Sequence, residues 1–364
     1  MIEINKRIKK FKTRVTESKW TKFFVLASIL QLCCVVFLET RVLLRNYDFK
    51  ESVTDRYNFH LGNGDNCNLK PSIDRMSLIA QENIIFMIFQ VFQLWFCLNA
   101  IYNQNIMQII TIAIINFICG LFGIVQIFEI SKWATDLDKT CEGESALIDK
   151  NFVKFDVPLV ICLILFATII AFLSFRLYQQ FGWNIYKKIG ADIKIQKIYK
   201  TMLIFVMYLK LDLFFVLVTA IEVFLSFSVD TSGSSYTFTL PNKLYYFHLG
   251  ITIMILFLEI LAYRSLRLES KIGMVSYLVL SLFTVVDFII LLKFATDKIS
   301  QSWYFFIVIV VVAIILSLLT WVWTLFVLMN FDQGLDKYLN KTKDQDIDLE
   351  GVTQTRPKRF TIED

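Results

Sequence analysis

The sequence predicts an all-α fold: a polytopic integral membrane protein built as a bundle of about eight transmembrane helices. Of the 364 residues, 56% are hydrophobic and only 19% are charged, and the mean hydropathy is +0.57. Soluble domains carry about 25% charged residues. The apolar residues are gathered in eight runs, each long enough for the helix of about 20 residues that crosses a bilayer. Several runs are joined by short connections, which predicts one bundle.

The chain divides into three regions. Residues 1–22 form a basic amphipathic tail, residues 23–329 hold the eight spans, and residues 330–364 form a hydrophilic tail that we expect to be disordered. In chain order, the predicted spans are Phe23–Leu44, Leu78–Tyr102, Ile106–Ile130, Phe155–Tyr178, Met202–Val229, Leu244–Tyr263, Ile272–Phe294 and Tyr304–Met329.

The N-terminal tail sets the expected orientation. Ile4, Ile8, Phe11 and Val15 recur at helical spacing among lysines and arginines. Such a helix can lie on an anionic leaflet, or it can serve only to orient the chain. With this tail in the cytosol, the cytosolic segments carry about twice as many Lys and Arg residues as the opposite side, which favours two cytosolic termini. The expected partners are the lipid bilayer and, at the cytosolic basic segments, anionic headgroups; no nucleic acid is expected.

The connections on the opposite side hold two of the seven cysteines. Arg45–Ser77 contains the turn-forming run LGNGDNCN and is predicted to be an irregular loop. Cys67 lies in this loop and Cys141 in the connection before the fourth span. A lumenal compartment permits disulfides, so a Cys67–Cys141 bridge is predicted, with two free thiols as the alternative.

Residues that support common enzyme chemistry are scarce. The two histidines, His60 and His248, are far apart in the sequence and form no metal-ligating cluster. The sequence contains no P-loop, no glycine-rich nucleotide fingerprint and no nucleophile elbow. We therefore expect no metal, no cofactor and no enzymatic activity.

Charged residues within the predicted spans form the candidate intramembrane polar site. Each charge in a bilayer-spanning helix costs roughly 2.5–3.5 kcal/mol on insertion scales, so such residues usually face protein or water. Glu39 and Glu129 lie near span ends, where a carboxylate can reach the interface. The deeper residues are Lys210, Asp212, Glu222, Glu259 and Asp287.

Two arrangements of these deeper residues remain open. Lys210 and Asp212 are two positions apart and point to different helix faces, so each needs a partner elsewhere. The four acids could surround a polar cavity for a cation or proton. Alternatively, they could fix helix packing by pairing with Lys210, Lys293 or Arg264.

Three sequence blocks carry a family resemblance: FGWNIYKKIGAD before the fifth span, YLKLDLFF within it, and RLESKIGM at Arg267–Met274. They resemble a family of fungal multi-pass Golgi apparatus membrane proteins of unknown function. The resemblance implies an endomembrane location, most simply the Golgi membrane, and no catalytic residues. The matching positions are Gly182, Trp183, Tyr186, Lys187, Gly190, Ala191, Asp192, Lys210, Asp212, Phe214, Phe215, Glu269, Gly273 and Met274.

The first block is also a candidate cytosolic loop surface. Its aromatic residues suit the membrane interface, and its lysines suit anionic headgroups. It could be a docking surface or an ordinary interfacial anchor. The residues of this surface are Trp183, Tyr186, Lys187, Lys188, Gly190 and Asp192.

The leading functional hypothesis is a non-enzymatic membrane component, such as a trafficking, organising or accessory factor. The alternative is a transporter or channel for a cation, proton or lipid that uses the buried acids.

Overall fold

The computed structural model describes residues 2–63, 69–140, 152–189, 193–230, 242–297, 304–331 and 333. Within this part of the chain the secondary structure is helical and contains no strand. The helices are α1 (Ile2–Thr16), α2 (Lys19–Asn63), α3 (Lys70–Asn103), α4 (Ile106–Thr140), α5 (Phe152–Ile189), α6 (Ile193–Asp230), α7 (Asn242–Arg267), α8 (Lys271–Asp297) and α9 (Tyr304–Met329).

Eight of these helices, α2 to α9, are long and apolar enough to cross a membrane. Each contains one of the eight apolar runs found in the sequence. The all-α, polytopic fold class is therefore confirmed.

Several helices extend well beyond the predicted spans. The irregular loop predicted for Arg45–Ser77 is wrong in its first and last parts, because α2 continues to Asn63 and α3 begins at Lys70. No glycine or proline interrupts α2 between Arg45 and Leu61, and Phe49 is buried in a cluster with Trp133 of α4. Packing between helices therefore continues past the predicted end of the span.

The eight long helices α2 to α9 pack in two groups of four. Within the first group, α2 packs on α3 and α5, and α4 packs on α5; within the second, α9 packs on α6 and α8. Aromatic rings join the two groups: Phe92 of α3 stacks on Phe214 of α6 with ring centroids 3.9 Å apart, and Phe122 of α4 lies 5.1 Å from Phe305 of α9. The two groups therefore pack against each other through apolar side chains.

One end of the bundle is marked by α1, and we call it the α1 end. Here Gln104, between α3 and α4, donates a 2.9 Å hydrogen bond to Glu17, and Asn105 donates to the Leu203 carbonyl of α6 at 3.3 Å. Because successive spans alternate in direction, the connections α5–α6 and α7–α8 and the end of α9 also lie at this end. The connections α2–α3, α4–α5, α6–α7 and α8–α9 lie at the opposite end, which we call the far end.

The α7–α8 turn explains the RLESKIGM block. Glu269 adopts a left-handed backbone conformation with φ of 48°, and the Ser270 amide donates to the Ser265 carbonyl at 3.0 Å, which closes the end of α7. A Cβ atom added to Gly273 would lie 2.1 Å from Ser265 Oγ, so only glycine fits without rearrangement. Met274 follows as a fully buried core residue. These positions therefore set how closely α8 approaches α7.

Candidate functional site

A chain of buried polar side chains joins α2, α3 and α5 toward the far end. Arg45 binds both carboxylate oxygens of Asp156, and its Nη2 donates to Asn46 at 2.9 Å. Asn46 Nδ2 donates to Asn83 Oδ1 at 3.2 Å, and Asn83 Nδ2 donates to Glu39 Oε1 at 2.6 Å. We call these five residues the α2–α5 polar network.

The network changes the interpretation of Glu39. The expectation that its carboxylate reaches the interface is wrong, because the residue is 0% exposed and bound to Asn83. Sequence reasoning missed the network because it placed Arg45 in a loop rather than in a helix. A signal was present nonetheless: Glu39 and Asn46 are seven residues apart, which puts them on one face of a helix. The Glu129 side chain lies outside the described part of the structure.

A second polar cluster draws one residue from each helix of the α6–α9 group. Ser317 of α9 donates a 2.6 Å hydrogen bond to Asp212 of α6. Glu259 of α7 lies near enough to Asp212 for their charges to repel, and Tyr277 of α8 lies in the vicinity of both acids. All four side chains are buried. We call them the acid cluster.

A buried histidine–aspartate pair lies in the α7–α8 hairpin. His248 Nδ1 and Asp287 Oδ2 are 2.6 Å apart, and both side chains are buried. Across the described residues, His248 Nε2 and Asp287 Oδ1 make no hydrogen bond. Glu222 of α6 is also buried, and neither of its carboxylate oxygens makes a hydrogen bond to another described residue.

The structure therefore divides the five candidate residues among several places. Lys210 donates a 2.5 Å hydrogen bond to Asn99 of α3. Asp212 and Glu259 share the acid cluster, whereas Asp287 contacts His248, a residue that sequence reasoning did not pair with it. Glu222 lies ten positions along α6 from Asp212, a helical rise of about 15 Å.

The register of the α7–α8 hairpin could have revealed which residues of α7 and α8 lie near each other. Residues equally far before and after a hairpin turn lie at the same level on neighbouring helices. Glu259 and Tyr277 are equally spaced around Leu268, and His248 and Asp287 nearly so. The predicted spans, which end at Tyr263 and begin again at Ile272, already placed the turn between them, but the residues were not paired by register.

An open groove of about 380 Å³ lies between α6 and α7 on the side of the α1 end. Val206 and Leu209 of α6 and Ile260 of α7 provide apolar walls. Four charged residues also line it: Lys210, Glu259, Arg264 and Arg267. The groove thus connects a basic rim to one member of the acid cluster.

The candidate cytosolic loop surface is only partly described. It is helical at its start, because α5 continues to Ile189, and Trp183 is 58% exposed at the α1 end. The side chains of Tyr186, Lys187 and Lys188 and the whole of Gly190 and Asp192 lie outside the described residues. A docking role for this surface stays a prediction.

The predicted disulfide also lies outside the described residues, because neither Cys67 nor Cys141 is among them. The described cysteines, Cys33, Cys34, Cys97, Cys119 and Cys162, are free. Among the described residues, Trp133 of α4 donates a 3.2 Å hydrogen bond to the Ser72 carbonyl of α3. Of the tail predicted at residues 330–364, the structure describes only residues 330, 331 and 333.

The fold and the buried polar contacts define a multi-pass α-helical membrane protein whose spans are joined by side-chain hydrogen bonds and an ion pair. In the described residues, no three or more His, Cys, Asp or Glu side chains are arranged to hold a metal ion.

The chain is similar to the UPF0658 Golgi apparatus membrane protein of the fission yeast Schizosaccharomyces pombe, with 27% identity over 151 residues. The match covers 36% of this chain and 43% of that relative. It confirms the resemblance to a fungal Golgi membrane family that the loop and span motifs indicated. No family model and no solved structure matches the chain.

Proposed function

We propose that this protein is a non-enzymatic multi-pass component of the Golgi membrane that acts as a trafficking, organising or accessory factor. One observation carries the proposal: three of the buried acids are used in separate contacts, each joining two helices. Asp156 binds Arg45, Asp212 accepts from Ser317, and Asp287 contacts His248. Such contacts hold the helices in one arrangement. A fixed arrangement of helices suits a protein that presents a surface to partners.

The location and orientation follow from the relative and from charge. The similar fission yeast protein is a Golgi apparatus membrane protein, and we extend that location to this chain. We place the α1 end, with both termini, in the cytosol, where basic residues are favoured. There they attract the anionic headgroups of the cytosolic leaflet. Exposed basic residues at this end include Lys9, Lys12, Lys19, Lys194, Lys197, Lys200 and Lys271.

A specific observation also supports the alternative, a transporter or channel for a cation, proton or lipid. Asp212 and Glu259 lie within electrostatic range of each other in the acid cluster, and Glu259 also lines the open groove. An ion could reach this pair from the groove. A buried acid pair beside an open groove is the arrangement that proton-coupled transport would require.

One pair of measurements separates the two functions. Full-length wild-type protein and the Asp212→Asn variant are purified from membranes with their partners, and each is also reconstituted into vesicles carrying a pH-sensitive dye. The proposal expects a defined partner set with wild type and proton flux no faster than in protein-free vesicles. The variant Glu17→Gln, which removes an acid outside the predicted spans, serves as the control. Proton flux above background in the wild type and in Glu17→Gln, but not in Asp212→Asn, would contradict the organising function and support transport.

A further inference from the structure

We propose that the groove between α6 and α7 binds one anionic phospholipid. Its phosphate would contact Arg264 and Arg267, and an acyl chain would lie along the apolar walls. This goes beyond the proposed function and beyond general attraction to an anionic leaflet, because it assigns one site of defined stoichiometry.

The shape of the groove suits a lipid. Its volume of about 380 Å³ falls in the range of small-molecule sites, roughly 300–1,000 Å³, and it is open along one side. Ile260 on the α7 wall is 67% exposed, so this wall faces the surroundings of the bundle. Phe257, one turn deeper on α7, is also exposed and continues the apolar surface. A chain leaving the groove would therefore stay against apolar side chains.

The rim is preorganised for a phosphate. Arg264 and Arg267 are three positions apart in the last turn of α7, so their side chains emerge on the same side. The Arg267 guanidinium lies 4.5 Å from the centre of the Tyr263 ring and donates to the Tyr263 hydroxyl at 2.7 Å, which limits its orientation. A guanidinium has five N–H donors, so donors remain for phosphate oxygens.

Lys210 and Glu259 define the inner end of the site. The Lys210 ammonium gives one hydrogen bond to Asn99, and an ammonium has three donors. It can therefore also donate to the ester carbonyls that lie below a phospholipid phosphate. Three basic side chains and one acid line the groove, so the balance of charge favours an anionic over a zwitterionic lipid. The apolar walls favour a lipid over free phosphate.

Native mass spectrometry of the full-length protein in detergent tests the proposal. The probes are phosphatidic acid and phosphatidylcholine with the same palmitoyl and oleoyl chains. We expect one tightly held phosphatidic acid per chain, bound at least about tenfold more tightly than phosphatidylcholine, as one good charge-assisted contact provides. The Arg264→Gln/Arg267→Gln variant should lose this preference. The matched variant Lys197→Gln/Lys200→Gln removes the same charge from exposed positions at the start of α6 and should keep it.

A second variant tests the apolar part of the site. Val206→Trp fills the groove and leaves its charges in place, so it should weaken phosphatidic acid binding about tenfold or more. Thermal unfolding of each variant in detergent shows that it is folded. Equal loss of preference in the two double-glutamine variants would overturn the proposal, because binding would then depend on surface charge alone. Full competition by millimolar inorganic phosphate, or binding unchanged by Val206→Trp, would also overturn it.

Discussion

At the scale of single residues, the α2–α5 polar network shows how a charged pair is kept inside this bundle. Arg45 and Asp156 are both buried, and each would be costly alone in an apolar environment. Arg45 meets the carboxylate through two nitrogens and also binds Asn46, so much of its donor capacity is used. The pair links α2 to α5, two helices that are distant in the sequence. Removing one member of the pair would leave the other as a buried charge without its ion-pair partner.

Removing one member of this pair should destabilise the protein strongly. Arg45→Met leaves the Asp156 carboxylate buried without its ion-pair partner, which should cost about 3–5 kcal/mol of the free energy of unfolding. Arg45→Met/Asp156→Leu removes both charges and should recover most of that loss. Thermal unfolding of the full-length protein in detergent provides the measurement.

The partly exposed pair Arg14–Glu17 provides the control. Glu17→Gln should change the free energy of unfolding by only about 0–1 kcal/mol. If Arg45→Met were as mild as Glu17→Gln, or if the double variant were less stable than Arg45→Met, the buried pair would not have the structural role assigned to it.

At the scale of elements, the α7–α8 hairpin depends on the close approach at Gly273. Burial of Met274 and Tyr277 in one cluster with Leu266 requires α8 to start close against the end of α7. Ser265 occupies the space that any side chain at position 273 would need. The same register places Glu259 beside Tyr277 and His248 beside Asp287, so the turn also positions polar contacts deeper in the bundle.

We therefore expect Gly273→Ala to destabilise the protein by about 1–3 kcal/mol, the usual cost of overpacking. Helix propensity alone would favour alanine by about 0.5–1 kcal/mol, so the sign of the effect identifies the steric cause. Adding Ser265→Ala removes the clashing Oγ and should restore part of the stability. Thermal unfolding in detergent measures both variants.

Gly250 in α7 is the matched control, because a Cβ atom there would meet nothing within 4 Å. Gly250→Ala should leave the stability unchanged or raise it slightly. A neutral result for Gly273→Ala, or the same loss for both glycines, would show that α8 does not depend on this close approach.

The elements also show how far the sequence alone could predict the fold. The existence of all eight spans followed from apolar run length, because the bilayer requires a minimum length of helix. The ends of the helices did not follow, because α2 passes Leu44 into a charged stretch in which Phe49 and Val53 are buried with Trp133. The candidate acids were found because charge is rare within spans. Their partners Ser317, Tyr277 and His248 were not, because such residues are ordinary in the sequence and become informative only through helix register.

At the scale of the whole molecule, the two ends of the bundle differ in the chemistry they present. The α1 end carries α1 and many exposed basic side chains. At the far end, α2 and α3 extend beyond their predicted spans and pack against the end of α4. Phe49, Val53, Met76 and Trp133 form a buried cluster there. Among the described residues of the far end, α2, α3 and α4 are therefore packed together beyond the predicted spans.

The Cys67–Cys141 disulfide is the prediction that tests the proposed orientation. Cys67 lies between α2 and α3, and Cys141 directly follows α4. Trp133, eight residues before Cys141, donates a hydrogen bond to the carbonyl of Ser72, five residues after Cys67, so α3 and α4 contact each other toward the far end. Because disulfides persist in a lumen and not in the cytosol, a bridge here would place the far end in the lumen and both termini in the cytosol.

Alkylation of membranes dissolved in a denaturing detergent, followed by mass spectrometry, measures the bridge. Without reductant, we expect Cys67 and Cys141 to resist alkylation while the five cysteines within the spans are modified; with reductant, all seven should react. In Cys141→Ser, Cys67 should react without reductant, which shows that the two are partners rather than individually blocked. If both cysteines react without reductant in the wild-type protein, the bridge is absent and the orientation loses its support from disulfide chemistry. The charge asymmetry of the two ends would then be its remaining basis, because exposed lysines favour the cytosolic side whether or not the far end is cross-linked.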